Sequence, residues 1–511
     1  MSATWRMVCG LLLGFVQVDL TQAAIASSQV LVVHNSPSAD SAIILDAYLT
    51  AHPEIPAENV LDLNDPALAG VADVSYDDFV NRIRDPIRTY LDLAGEPSAT
   101  SIVSIVLIKG IPHRIQDTDN LTVGDVPTSA AGEFNAGDYT AAAVDSELAL
   151  LWQNLESGES GGTMDSKADN VIDNPYHTRA TSIAGYTRSN IKSAKIFAKP
   201  LAVAWTFAGA GASRLREGDF YLVCRLDGNT AADVIGMIQR AQNIRINRRY
   251  AWLVLDEHAD PAREYDNMDL FDPPNPAYFY AGDDYEETRD LLQTAGWRVR
   301  YDDTSTFMLP AALPRPVAAY ASYGENHIDN PPGSGTYLEG LQFARGAVFN
   351  TAESYNGRAF NGKGTLFNQE QVADFIALGG TFGIGNVWEP FALTLPDDEF
   401  LLTNLLVNGL TWAEAAWSSI PVLSWMHVVI GDPLATAVVV DQPADSDADG
   451  DVDAEDVDYI VSCIGGAGVV PSFGCEDADL EGDGQIDQAD FGRIQRCLSG
   501  ADVPADPACA D

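Results

Sequence analysis

The sequence predicts an α/β protein with a small helical module at its C-terminal end. Over residues 27–440, short β-branched runs alternate with stretches of helical periodicity, a pattern that implies a mostly parallel sheet, or sheets, flanked by helices. After residue 440 the pattern changes. Two acidic twelve-residue loops, each followed by a short helical stretch, repeat in register 34 residues apart, and four cysteines recur on the same period.

At the N-terminal end, Arg6 precedes an apolar run from Met7 to Val16, and Ala24-Ile25-Ala26 offers small residues for cleavage. Residues 1–26 therefore read as a secretory signal peptide, and Cys9, near the start of the apolar run, argues against a lipid-modified terminus. The run is too short to span a bilayer, and no later stretch reaches about 18 consecutive apolar residues. The expectation is a chain that is secreted or extracytoplasmic, soluble, and free to form disulfides.

A hydrophobic content of 46% over 511 residues supplies ample core. The net charge of -45 disfavours nucleic acid and anionic membrane surfaces and favours divalent cations or basic partners. Much of that charge is local, since about 19 of the 74 acidic residues follow position 440, against Arg493 and Arg496 alone.

Val30–Val33, Ile102–Ile108, Tyr221–Cys224, Trp252–Leu255, Val317–Tyr320, Ala347–Phe349 and Phe382–Ile384 read as buried strands. Ser41–Thr50, Tyr76–Leu93, Ala231–Gln242, Tyr285–Ala295 and Gln369–Ala377 read as helices. The length allows two lobes, 27–210 and 211–440, with a break near residues 205–218, and the Gly/Asp/Ser-rich stretch Ser157–Asp173 reads as a long surface loop. Cys224 lies on an apolar run with no nearby mate and reads as a buried thiol.

Ligands of open α/β sheets sit beyond the carboxyl ends of the strands, so chemistry is sought there. Lys109-Gly-Ile-Pro-His113-Arg114, Asp256-Glu257-His258 and Tyr323-Gly324-Glu325-Asn326-His327 each follow a strand, although loops and helix caps favour the same residue types. The seven histidines show no paired zinc spacing. Gly357 to Gly364 comes within one residue of a phosphate loop, but Gly364 replaces the hydroxyl that would hold magnesium, and no Gly-x-Ser-x-Gly elbow is present.

The tail names its chemistry more directly. A hard cation such as calcium takes six to eight oxygens, which a twelve-residue loop provides from side chains at positions 1, 3, 5 and 12, a backbone carbonyl at 7 and a water at 9. The first loop offers Asp445, Asp447, Asp449, Asp451 and Asp456, and the second Asp479, Glu481, Asp483, Gln485 and Asp490, so two calcium ions are expected. Gly450 and Gly484 fall at position 6, where the chain turns, and Val452 and Ile486 at position 8 are placed to pack together. Each copy encloses one Cys-x11-Cys segment, most simply paired as Cys463 with Cys475 and Cys497 with Cys509, though other pairings satisfy the sequence.

Loop and short helix (Ala454–Ile464, then Gln488–Leu498), duplicated over 441–511, resemble the type I dockerin, an EF-hand-like calcium module. The resemblance implies calcium-dependent attachment to a cohesin-like partner, in assemblies that often serve polysaccharide catabolism. The sequence departs from the common pattern in its disulfide-sized insertion, and in Ala454-Glu455 and Gln488-Ala489 where a Ser-Thr pair is frequent.

In the second half of the core, Tyr320-Ala-Ser-Tyr323-Gly324, the strand ending Phe349-Asn-Thr-Ala352-Glu353 with Gly357, and Pro421–Ile430 running into Gly431-Asp432-Pro433 are similar to gingipain-like cysteine peptidases of caspase-like fold. The family's catalytic histidine and cysteine positions match Tyr323 and Glu353, so its dyad is lost. More closely, Asn35-Ser-Pro, Ile55–Val60, Lys109–Pro112, Asp145-Ser-Glu147, Arg225-Leu-Asp227-Gly228, Trp388-Glu389-Pro390 and Gly431-Asp432-Pro433 resemble a family of uncharacterised exported bacterial proteins, which implies a fold and no activity. Asp145, Glu147, Arg225, Asp227, Glu353 and Glu389 are expected near one another, as carboxylates around an arginine. Two readings follow. One is a binding protein on a caspase-like scaffold attached through its calcium module. The other is a polysaccharide- or peptide-directed hydrolase using Tyr323, Glu353 and Glu389, or His327.

Overall fold

The β-branched runs become the strands of one ten-stranded sheet. In chain order these are β1 (Val30–His34), β2 (Val60–Asp62), β3 (Ser104–Ile108), β4 (Leu222–Leu226), β5 (Trp252–Asp256), β6 (Arg298–Asp302), β7 (Val317–Ser322), β8 (Phe343–Thr351), β9 (Phe382–Asn386) and β10 (His427–Ile430). The order across the sheet is β6-β5-β7-β8-β9-β10-β4-β3-β1-β2. Neighbours from β6 to β9 are parallel, as are those from β4 to β2, while β10 runs antiparallel to β9. Every residue of β3 and β4 is buried, as a sheet covered on both faces requires. The structure, a computed structural model, describes residues 24–510 except 94, 96, 116–141, 154–169, 194–198, 201–214, 260–283, 315, 325–336, 362–369, 389, 391–393, 470–474, 476–477, 481–482 and 507.

Helices follow the strands as expected at Ser41–Ala51, Ala231–Arg240, Asp284–Thr294 and Val372–Ala377. Ala231–Arg240 begins at a capping box in which Thr230 and Asp233 bond each other's amides. The stretch expected as one helix over 76–93 is helical to Asp92 but widens into a π turn at Phe79–Arg84. Pro86 lies just beyond it and has no amide hydrogen to continue the regular ladder. No described helix is long and apolar enough to cross a membrane.

Two expectations change. Most of the proposed break between lobes lies outside the described residues, but β3 and β4, from either side of it, pair directly from Ser104↔Leu222 to Ile108↔Leu226. The two halves therefore share one sheet and one hydrophobic core. The last four residues of the expected loop Ser157–Asp173 form a strand, Asn170–Asp173, because Val422-Leu423 offers it an antiparallel edge.

Two buried charge clusters of the core are paired within the chain. Arg225 on β4 has no exposed surface. Its guanidinium meets Asp145 through Nη2–Oδ1 at 2.5 Å and Nε–Oδ2 at 3.2 Å, and donates to the carbonyls of Ile111 at 2.8 Å and Pro112 at 3.1 Å. The pair thus pins the loop after β3 across the end of β4. Lys109 in the same loop donates to Asp227 Oδ1 at 3.0 Å and to the carbonyls of Gly228 and Phe360. A second buried cluster gathers on Asp432, which accepts from Tyr48 at 3.3 Å and Gln242 at 3.1 Å and lies 2.6 Å from His52 Nε2. Burial alone would lower the His52 pKa, but its hydrogen bond and charge contact with Asp432 outweigh this and hold it above 6.5.

Removing one partner of a buried pair strands the other, so Asp145→Ala is expected to cost about 3 to 5 kcal/mol in urea denaturation. For His52, whose folded pKa is raised, the stabilisation is complete below 6.5 and is lost as pH rises through the folded value. The stability gap between the natural chain and His52→Gln should therefore narrow as pH rises from 6.5 through the raised folded value. A constant gap would show that protonated His52 contributes nothing.

Candidate metal centre

The two copies of the tail fold as one symmetric unit. Its core consists of Ala444, Val452, Ile460 and Cys463 together with Ala478, Ile486, Ile494 and Cys497, four pairs each 34 residues apart. The position-8 residues do pack there. Val452 O accepts from the amides of Ser499 and Gly500 at 3.0 and 3.1 Å, and Ile486 O accepts from Gly465 and Gly466 at 3.2 and 3.0 Å. Each loop is thus tied to the end of the other copy's helix. Helices run Ala454–Cys463 and Gln488–Cys497, and Ala454, Glu455, Gln488 and Ala489 at their starts are exposed. The disulfides are Cys463–Cys475 and Cys497–Cys509, with Cα–Cα separations of 5.5 and 4.8 Å.

The turns that shape the loops also repeat. Gly450 has φ +99° and Gly484 φ +81°, the left-handed region open to glycine. Asp456 accepts from the amides of Ser446 and Asp453, and Asp490 accepts from the equivalent Leu480 and Asp487. Asp449 and Asp483 each accept from the amide two residues ahead. These bonds aim the carboxylates inward. In the first loop, Asp445, Asp447 and Asp449 each bring one carboxylate oxygen within 4.8 Å of the others, and so do Asp451, Asp453 and Asp456. In the second, Asp479 accepts from Asp483 and Gly484 at 3.1 and 2.6 Å, Gln485 lies beside Asp483, and Glu481 is outside the described residues.

The first loop fits a cation. Asp445 is fully buried, and among the described residues neither carboxylate oxygen meets a donor at full hydrogen-bond geometry, although the Gly450 amide partly offsets its charge; Asp451 Oδ1 is buried and likewise unmatched among the described residues. A buried carboxylate without donors is costly unless a positive charge meets it. Burial, and then the charges of Asp456, Asp447 and Asp449, push the Asp445 pKa up to about 7. Asp447 is pushed up to about 6 by burial and then by Asp456. Among the described residues, two clusters of three aspartates can hold metal ions, and both lie in this loop.

The candidates of the α/β core are placed differently. Glu353 is fully buried, with Oε2 accepting from Tyr337 at 2.7 Å and Thr351 at 3.3 Å. Gly324 closes over it, since a Cβ there would lie 2.2 Å from Glu353 Cγ. Tyr323 is buried between the rings of His258 and Phe307, at 5.0 and 5.5 Å. Glu389 and His327 lie outside the described residues. Of the expected carboxylate cluster, Asp145 and Asp227 do meet Arg225, but Glu147 bonds Ser424, and Glu353 has the separate partners just described. Burial pushes the Glu147 pKa up to about 7. His113 is buried against Arg358 O at 2.8 Å, and burial, then Arg114, lower its pKa. Gly357, the first glycine of the phosphate-loop-like stretch, lets the chain pass against β9, where a Cβ would lie 2.9 Å from Gly385 C. Cys224 is buried and free, and burial raises its pKa well above the ordinary thiol value.

Sequence spacing missed Asp453, which sits at the position ordinarily given to water and joins the second cluster. It also missed the core residues that touch the first loop, because nothing local announces a contact between distant segments. Loss of either disulfide, each closing a separation of 12 residues, should cost the module about 3 kcal/mol. Denaturation of Cys497→Ser/Cys509→Ser followed at the module alone would measure it, with unchanged stability as the contrary result. Comparison with protein families, curated proteins and solved structures finds no match to this chain.

Proposed function

We propose that the chain is an exported calcium-binding protein whose dockerin-like tail attaches a caspase-like, non-peptidase α/β core to an extracellular assembly. The observation that carries the calcium reading is Asp445, fully buried with both carboxylate oxygens unmatched inside a loop of acids. Asp445, Asp447, Asp449, Asp451 and Asp456 would hold one ion, and Asp479, Glu481, Asp483, Gln485 and Asp490 a second. Bound calcium supplies the positive charge that the crowded carboxylates lack. The chain's own part is to aim them, through the glycine turns and the amide bonds to Asp456 and Asp490.

Attachment is favoured by the exposed starts of both tail helices, Ala454-Glu455 and Gln488-Ala489, which stand at corresponding positions in the two copies. A cohesin-like partner is the chemistry such a surface suits. The non-peptidase reading of the core draws on the loss of thiol and imidazole at the two family positions, and on Glu353 and Tyr323 being packed and enclosed.

Chelation is expected to remove hydrogen-exchange protection from residues 441–511 while the ten-stranded sheet stays protected, because carboxylates left without a cation repel. Tail exchange that ignores chelator would sink the calcium reading. Binding to immobilised cohesin domains should require calcium and fail in Asp445→Asn; binding indifferent to both would remove the attachment role.

A further inference from the structure

The first acidic loop leans on the α/β core, and among the described residues the second does not share the contact. Strand Ile244–Asn247 pairs in parallel with Ala437–Val440, from Ile244↔Ala437 to Asn247↔Val440, and so delivers the chain to the loop's entrance. Asn247, 2% exposed, donates its side-chain amide to Gln442 O at 2.7 Å and to Asp445 O at 2.6 Å. The Asn247 side-chain oxygen accepts from the Arg249 amide at 3.1 Å, which fixes which way that side chain faces. Tyr250, also 2% exposed, accepts from the Ala444 amide at 2.7 Å, and its ring meets Tyr459 of the first tail helix edge-on at 5.6 Å. Ala444 itself is buried at φ +65°, a strained conformation for a residue with a Cβ, and the Tyr250 hydroxyl holds it there. At position 6, a Cβ on Gly450 would lie 3.2 Å from the Arg245 guanidinium, whereas Gly484 has nothing within 4 Å. The two loops match in sequence and differ in their surroundings.

We infer that Asn247 and Tyr250 of the core are positioning residues for a cation held at Asp445, so that the first loop is completed by the α/β core and the second is self-contained. This rests on the calcium reading of the loops. Outer residues that orient metal ligands are commonly worth about 10- to 100-fold in affinity, and Asn247 holds the backbone of the first ligand in the loop. Filling the first site would then stiffen the junction between core and tail, and filling the second would not.

The test is a calcium titration of the full chain by calorimetry, with hydrogen exchange followed in parallel. Asp445→Asn and Asp479→Asn identify which binding event belongs to which loop. Asn247→Ala should weaken the Asp445-dependent event at least about 10-fold and leave the Asp479-dependent event unchanged. Tyr250→Phe, which keeps the ring against Tyr459, should leave the fold intact and abolish the calcium-induced protection of the Ala444 amide. Equal affinities in Asn247→Ala and the natural chain, or equal weakening of both events, would overturn the inference. A natural chain that takes up no calcium would instead overturn the reading beneath it, and this inference with it.

Discussion

A charge taken out of water must meet an opposite charge or a full set of hydrogen bonds, and this constraint organises both parts of the molecule. In the α/β core the chain meets it alone. Arg225 is enclosed at the end of β4 and satisfied by Asp145 and two carbonyls of the loop after β3, so the same contacts that neutralise it hold that loop in place. In the tail the chain does not meet it. Asp445 is as deeply buried as Arg225, but its carboxylate is crowded by Asp456, Asp447 and Asp449, and the Gly450 amide only partly offsets them.

This contrast separates the two sets of candidate residues. In the core, Asp145 and Asp227 are paired with Arg225 and Lys109, and Glu353 is held through Oε2 by Tyr337, so these three read as parts of the scaffold. The carboxylates of the first loop are gathered, among the described residues, in two clusters of three, each with its oxygens within 4.8 Å of one another. A divalent cation bound from solution would supply the charge that these clusters lack. Its disulfides then hold together a module whose hydrophobic core is only four residue pairs.

Local signals were legible in the sequence. The β-branched runs located seven of the ten strands of the sheet, because a sheet buried on both faces needs them, and the ligand spacing, turn glycines and cysteine period located the tail's loops, bridges and helices. What escaped depends on contacts between distant residues. The Arg225–Asp145 pair, 80 positions apart, was expected only through a family resemblance, and the Asn247–Asp445 bond, 198 positions apart, was not expected at all. Neither leaves a trace in spacing. The direction of β10 was equally hidden, since a four-residue apolar run looks the same parallel or antiparallel. The single continuous sheet follows from the β3–β4 pairing, which spans the stretch where a break between lobes looked natural.

The most direct measurement is the anomalous scattering of crystals of the full chain grown with calcium, or with a lanthanide in its place. A peak enclosed by Asp445, Asp447 and Asp449 is the predicted result, with the Asp445 carboxylate among its ligands. Density showing that carboxylate without a metal, satisfied by hydrogen bonds from the chain, would contradict the central claim that the tail's buried charge is matched by a cation.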